Sequence, residues 1–331
     1  MPRLARGMEI IMLDLIIIGS GPAGLSAAIY GIRANLNLLV IEKDYEGTGQ
    51  VALSSCVDNY LGLPGLDGYS MGEQFRQHAV DFGVEFLEAA VTGVEPVYKE
   101  DNISPSSISS DPDFFQVTTS DGQTLETKTI IYAAGATHRK LDVPGEARFD
   151  TKGVSYCATC DGAFYRNKTT AVIGGGDTAL DDALYLSGIC EKVYLVHRRD
   201  TFRAAEITVK KVMEKDNIEL VLNSTLSEIV GEEKVSGIRI NQKNADGSEE
   251  KDLAVSGVFI AAGSKPETGI LENISGLNLN DAGYVIADES CITSLPGFFV
   301  AGDVRTKTLR QVITAVADGA IAATAASHYI G

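Results

Sequence analysis

Apolar residues along this chain gather in short, nearly unbroken runs separated by glycine and small polar residues. Residues 15–18, 38–41, 129–132, 170–173, 192–196 and 258–260 are the clearest. Runs of this length, rich in Ile, Val and Leu, predict strands, and 15–18 and 38–41 read as buried members of a parallel sheet. Helical patterns follow two of them, over 25–34 and 180–187. An alanine-rich stretch over 311–327 spaces Val312, Ile313, Val316, Ala320 and Ile321 for a buried helix. Segments 115–119 and 124–127 around Asp121 and Gly122 predict a hairpin. The polar stretch 99–113 has no periodicity and predicts an exposed loop. Strand, helix and strand in succession make this an α/β chain.

The turns between strand and helix carry chemistry. Gly19, Ser20, Gly21, Pro22, Ala23 and Gly24 form a G-x-G-x-x-G turn. Gly19 suits the tight turn, Gly21 lets backbone approach a pyrophosphate, and Gly24 permits helix to pack on strand. The second strand ends in Glu42, 18 residues beyond Gly24, where a carboxylate accepts from ribose hydroxyls. The pattern recurs as Gly174, Gly175, Gly176, Asp177, Thr178 and Ala179. Here the same offset lands on His197, followed by Arg198, Arg199 and, four residues further on, Arg203. Guanidinium forks bind a 2′-phosphate that a carboxylate would repel, so the second cradle reads as an NADPH site. The first, with its acid, suits an uncharged ribose, as in FAD.

Between the cradles lie Cys157 and Cys160, a C-x-x-C pair, with Asp161 next to it as a proton donor and acceptor. Such a pair can cycle between dithiol and disulfide. Zinc would need a second pair or a histidine cluster. Cys56, Cys190 and Cys291 are isolated, and the four histidines are scattered, so no metal site is expected. Two unlike dinucleotide sites and a dithiol predict electron flow from NADPH through a flavin to a disulfide.

A chain of 331 residues, 44% hydrophobic, is long enough for two domains. Its net charge of −17 argues against nucleic acid or an anionic membrane as partner. Glu9 and Asp14 interrupt the apolar N-terminal stretch before it reaches signal-peptide length, and no run is long enough to span a membrane. A reducing cytoplasm is the expected location. Residues 1–11 read as an extension or alternative start.

The two glycine turns, Gly49 and Gln50, residues 58–60, the C-x-x-C-D run, residues 197–204, Ala301 to Val304 and Leu309 to Gln311 together resemble the bacterial low-molecular-weight thioredoxin reductases, from about Met12 to the C-terminus. The resemblance implies two Rossmann-like dinucleotide-binding domains, each of three-layer ββα form. The nicotinamide domain, 135–263, would be inserted into a discontinuous FAD domain, 12–134 and 264–331. Hinges would lie at 133–136 and 261–264. It implies that Gly302 and Asp303 hold the ribityl or pyrophosphate part of FAD, that Arg310, Gln311 and Val312 lie along the flavin, that Gly49, Gln50 and Asn59 line the flavin site, and that backbone near Val91 meets the adenine. Cys160 would face the flavin, Cys157 would attack the partner's disulfide, and Asp161 would shuttle the proton. A thioredoxin-like protein substrate and a homodimer are also implied.

Three rivals share parts of this pattern. The flavoprotein subunit of alkyl hydroperoxide reductase normally carries a further N-terminal C-x-x-C region, and only 11 residues precede the first strand here. A ferredoxin-dependent relative would have lost nicotinamide binding, whereas the second turn and its arginines are intact. A flavin and dithiol redox sensor would need the same cysteines, and Asp161 with a complete NADPH site favours turnover. Two departures from the family, Gly47 to Gln50 and the basic loop Arg305 to Thr308, bear on partner surface and redox tuning.

Overall fold

The apolar runs become strands because Ile, Val and Leu can fill both faces of a sheet covered on each side. The structure, a computed structural model, describes residues 12–43, 48–54, 56–98, 111–244 and 247–331. The expected 1–11 extension, and 99–110 of the expected polar loop, lie outside the described residues. Contacts divide the chain into two compact units, Met1–Thr137 with Lys265–Gly331, and His138–Ser264. The α-helices are α1 (Pro22–Arg33), α2 (Gly68–Asp81), α3 (Ala158–Asp161), α4 (Asp177–Ser187), α5 (Glu206–Met213) and α6 (Val312–Ile330). None among the described residues is long and apolar enough to cross a membrane.

In the first unit, parallel strands lie in the order Phe86–Glu88, Leu38–Glu42, Leu13–Ile18 and Thr124–Tyr132, and Phe298–Val300 also pairs in parallel with the last. Through its first residues Thr124–Tyr132 pairs antiparallel with Phe114–Thr119, which in turn pairs with Val91–Val97. The sequence divided this strand into a hairpin arm and a separate parallel strand. It is one strand of 9 residues, because the same extended backbone pairs with Phe114–Thr119 through its first residues and with Leu13–Ile18 from Thr127 onward. Lys128 takes the outward position between buried Thr127 and Thr129 and pairs with Asp14 at 2.8 Å.

Alternate residues of the sheet serve two cores. Leu15, Ile17, Val40 and Ile131 pack with Ala27 and Ala28 of α1 and Ala322 and Ala323 of α6. Ile16, Ile18, Ile41 and Ile130 pack with Phe115, Val117 and Phe298. Alanine and glycine bring α6 onto α1 almost backbone to backbone. Ser26 Oγ donates to the Val316 carbonyl at 2.7 Å, and a Cβ on Gly319 would stand 2.0 Å from the Ala23 oxygen.

The second unit is a three-layer ββα arrangement. Its parallel sheet runs Ile218–Val221, Lys192–Val196, Thr169–Ile173, Gly257–Ile260 and Val154–Ser155. One face packs on the antiparallel strands Ser224–Gly231, Val235–Asn244 and Gly247–Ala254, through Ala171, Val258, Ile229 and Ile238. The other packs on helices, through Val172, Phe259, Leu180, Leu186 and Val212. Both turn-following helices begin earlier than the periodicity indicated, α1 at Pro22 and α4 at Asp177. Proline and an acid both favour the first turn of a helix.

Gly319→Ala would force the α1 and α6 backbones apart, and overpacking of this kind costs about 1–3 kcal/mol. We expect a lower thermal midpoint for the first unit, and an unchanged midpoint would contradict the backbone contact described.

Candidate functional site

Cys157 and Cys160 are joined as a disulfide at the start of α3. Cys157 is extended and caps the helix, so the Cys160 amide donates to its sulfur at 3.2 Å. Ser155, at the end of the edge strand Val154–Ser155, ties this segment together. Its hydroxyl donates to Asp161 Oδ2 at 2.6 Å and accepts from the Cys157 amide at 3.1 Å. Burial raises the Asp161 carboxyl above the usual carboxylate range, Asp150 adds to the rise, and the Ser155 bond opposes it. An acid held this way can keep or release a proton beside two sulfurs.

Sequence reasoning missed Ser155, and it missed a second support. Buried Glu146 accepts from the amides of Leu141 and Val143 and, at 2.8 Å, from the Tyr156 hydroxyl. The Tyr156 ring stacks on His138. The residue before Cys157 is therefore fixed at its far end. No local spacing signals either contact.

The second glycine turn leaves the strand Thr169–Ile173 and enters α4, whose N-cap, Gly176, makes no side-chain capping bond. Amides of such a helix start are open to an anion. A Cβ on Gly174 would stand 2.6 Å from the Ala261 oxygen, and one on Gly175 would stand 2.1 Å from the His197 ring. His197 is thus packed beneath the turn. Its ring stacks on Phe202, and Nε2 lies 3.1 Å from the Thr201 oxygen. Burial lowers its pKa, with the Thr201 bond opposing and the neighbouring arginines adding to the fall. The arginine loop is stitched to the turn twice: Arg203 N–H donates to the Gly175 oxygen at 2.9 Å, and Ala205 N–H to Asp177 Oδ1 at 2.9 Å. Thr178 and Ala179 continue into the first turn of α4, Thr178 exposed and Ala179 in the core. Arg198, Arg199 and Arg203 are exposed, and no acid pairs with them among the described residues.

The first glycine turn follows Leu13–Ile18. Gly19 has φ +108, and a Cβ on Gly24 would stand 1.8 Å from the Gly19 oxygen. Gly21 caps α1 without a side-chain bond, and Pro22 follows. Around this open helix start the structure gathers much of what the sequence singled out. Ser20 and Ala23 are buried in the turn. Gly49 lies against Gly21, and Gln50 opens a short 3₁₀ turn. Asn59 donates to Gln311 Oε1 at 2.9 Å, and Gln311 caps α6 just before Val312. Gly302 packs on Ala23. Val91 begins an antiparallel strand.

Several buried polar atoms around this turn have no partner. Glu42 pairs through Oε1 with Arg76 of α2, while its Oε2 is buried and unbonded. Asp303 Oδ1 and Arg310 Nε are likewise buried and unbonded, and Arg310 lies over the Tyr284 ring at 4.3 Å. Unpaired buried groups are costly and point to a missing ligand. Two acceptors, a guanidinium and open helix amides suit a molecule with sugar hydroxyls and a pyrophosphate, so the residues present fit FAD. Arg76 is the residue here that the sequence did not single out. In the loop Arg305 to Thr308, where the chain departs from the family, Arg305 and Lys307 point inward and pair with Asp318.

A profile described as pyridine nucleotide-disulphide oxidoreductase matches residues 13–319. The chain is 42% identical to the thioredoxin reductase of Treponema pallidum, covering 96% of this chain and 97% of that protein. It is 40% identical to that of Listeria monocytogenes, covering 96% and 93%. Among solved structures it is similar to thioredoxin reductase from Streptococcus pyogenes, with TM-score 0.85, 38% identity and coverage of 97% and 99%. Thioredoxin reductase from Giardia duodenalis gives TM-score 0.86, 35% identity and coverage of 96% and 99%.

Ser155→Ala removes the bond that holds Asp161 down, so the Asp161 midpoint rises further. Its folded pKa already lies above the unfolded value, so the residue costs stability at neutral pH, and that cost begins to shrink as pH falls to the folded pKa and is gone below the unfolded one. Carboxyl-carbon NMR titration should find the higher midpoint, and a lower one would contradict the assigned role of the Ser155 hydroxyl.

Proposed function

Because the chain belongs to the pyridine nucleotide-disulphide oxidoreductases, and within them to the thioredoxin reductases, we propose which residues carry each step. It is an oxidoreductase whose redox-active centre is the Cys157–Cys160 disulfide. That disulfide, with Asp161 held beside it by Ser155, is the observation that carries the reading.

In this reading the first cradle holds FAD and the second NADPH. Gly19 to Gly24 and the α1 amides would take the pyrophosphate, Glu42 a ribose, Asp303 the ribityl chain, and Asn59, Gln311 and Val312 the flavin edge. Arg198, Arg199 and Arg203 would clamp the 2′-phosphate, with His197 holding their loop from beneath. When bound, the pair supplies two electrons, delivered by the nicotinamide as hydride and passed by the flavin to sulfur.

The protein's own part is the thiol chemistry. Reduction of the disulfide takes two electrons and yields Cys157 and Cys160 as thiols, one kept as thiolate. The Cys157 thiolate then attacks a disulfide sulfur of the partner. A mixed disulfide forms and the partner's other sulfur leaves as thiolate, to be protonated through Asp161. Cys160 gives its proton to Asp161 and attacks the Cys157 sulfur, which restores the internal disulfide and expels the partner's remaining sulfur as a thiolate, so the partner leaves with both sulfurs reduced. A thioredoxin or similar small disulfide protein is the proposed partner, in the cytoplasm, with the enzyme as a homodimer.

Cys157→Ser and Cys160→Ser should each abolish thioredoxin reduction, and parental turnover in either would overturn the disulfide route. Charge-assisted contacts are worth roughly 1.5–3 kcal/mol, so Arg198→Ala/Arg199→Ala should raise the KM for NADPH by about tenfold or more. NADH kinetics should stay near parental, and an equal loss with both nucleotides would contradict the 2′-phosphate assignment.

A further inference from the structure

Asp318 lies in the second turn of α6, six residues beyond Val312 and outside every motif the sequence singled out, and is 4% exposed. Its carboxylate takes four donors. Arg305 approaches with Nε on Oδ2 and Nη2 on Oδ1, both at 2.8 Å, and Lys307 Nζ reaches Oδ2 at 2.8 Å. The fourth is the backbone amide of Gly302, at 2.9 Å from Oδ2. All three side chains are nearly inaccessible to solvent. Burying one acid with two cations is expensive, and such clusters add little stability over apolar packing. A purely structural account therefore leaves the cluster poorly explained.

Its geometry gives it another task. Gly302 adopts φ +81 and packs against Ala23 of the first cradle, where a Cβ would stand 3.0 Å from the Ala23 Cβ. The next residue is Asp303, whose Oδ1 is buried without a partner. One residue further along α6, Gly319 rests on the Ala23 carbonyl. The segments 19–24, 302–303 and 318–319 thus meet at one point, and Asp318 is the side chain that holds the second of them by its backbone.

We propose that Asp318 is a positioning residue of the first cradle, and that with Arg305 and Lys307 it sets the Gly302–Asp303 turn so that the Asp303 carboxylate meets a bound dinucleotide. This rests on the reading of that cradle as the FAD site. Asp303 is faced by Lys307 and Arg310 on its own loop and by Asp318 from α6, while α1 meets the turn with Ala23. Burial holds its carboxyl above the usual range, the two cations oppose that rise and Asp318 adds to it. Lys307 therefore has a second effect, favouring the ionised form of Asp303 against its burial.

The test uses the full chain loaded with FAD. Replacing the whole cluster, Arg305→Met/Lys307→Met/Asp318→Leu, should leave the thermal midpoint at or above the parental one, because apolar substitution of a complete buried ion cluster is commonly neutral or stabilising. The Gly302 amide loses its acceptor, and FAD release on dilution, followed by flavin fluorescence, should be about tenfold faster or more. NADP⁺ binding, measured by calorimetry, should not change. Parental FAD release from the folded variant would overturn the proposal. Lys307→Met alone keeps the Arg305 and Gly302 bonds, so it provides a second measurement if the triple variant does not fold. The acid limb of FAD retention should move to higher pH, and an unmoved limb would overturn the proposal. A parent chain that takes up no FAD would instead overturn the reading of the cradle itself.

Discussion

The structure depends on backbone meeting backbone where no Cβ intervenes. Gly24 lets α1 start directly on the turn made by Gly19, with room for nothing larger. Gly319 lets α6 lie on α1 at the same level. These approaches leave the first amides of α1 without a side-chain cap, which is the arrangement a pyrophosphate needs. The second unit repeats the solution with Gly174 against the Ala261 carbonyl and an uncapped Gly176 before α4. One packing rule therefore builds both uncapped helix starts, and the side chains set around each make them different.

Those side chains divide by charge. The first cradle ends in Glu42, neutralised on one oxygen by Arg76 and open on the other. The second ends in a loop of exposed arginines tied by backbone bonds to its own glycine turn. In a chain of net charge −17, such placement concentrates positive potential where a phosphate would bind. The dithiol lies in the same unit as the arginines, with its acid partly desolvated and its strand anchored through Tyr156 and Glu146. Separate hydrogen bonds in the second unit thus hold the acid next to the disulfide and the residue before Cys157.

What the sequence made legible was local. Glycine spacing, the acid at the end of the second strand, the arginine run and the C-x-x-C-D motif are all set within about twenty residues, the span of one βαβ unit. What it hid depends on topology. Ser155 and Asp161 meet only because the edge strand runs into α3, and Glu146 reaches Tyr156 across a loop. Nothing near Arg305 and Lys307 in the sequence announces their acid, because α6 brings Asp318 to them. Thr124–Tyr132 looked like two strands because its pairing changes from antiparallel to parallel along its length, which only neighbouring strands decide. At the offset of a ribose ligand, His197 also stacks on Phe202 and packs beneath the second glycine turn, contacts that the offset does not announce.

The central claim is that electrons entering from NADPH end on the Cys157–Cys160 disulfide. An anaerobic titration of the FAD-loaded protein with NADPH, followed by flavin absorbance, tests it directly. The account predicts that the parent consumes reductant for the disulfide in addition to that for the flavin, whereas Cys160→Ser bleaches after the flavin's share alone. Identical end points for parent and variant would contradict it.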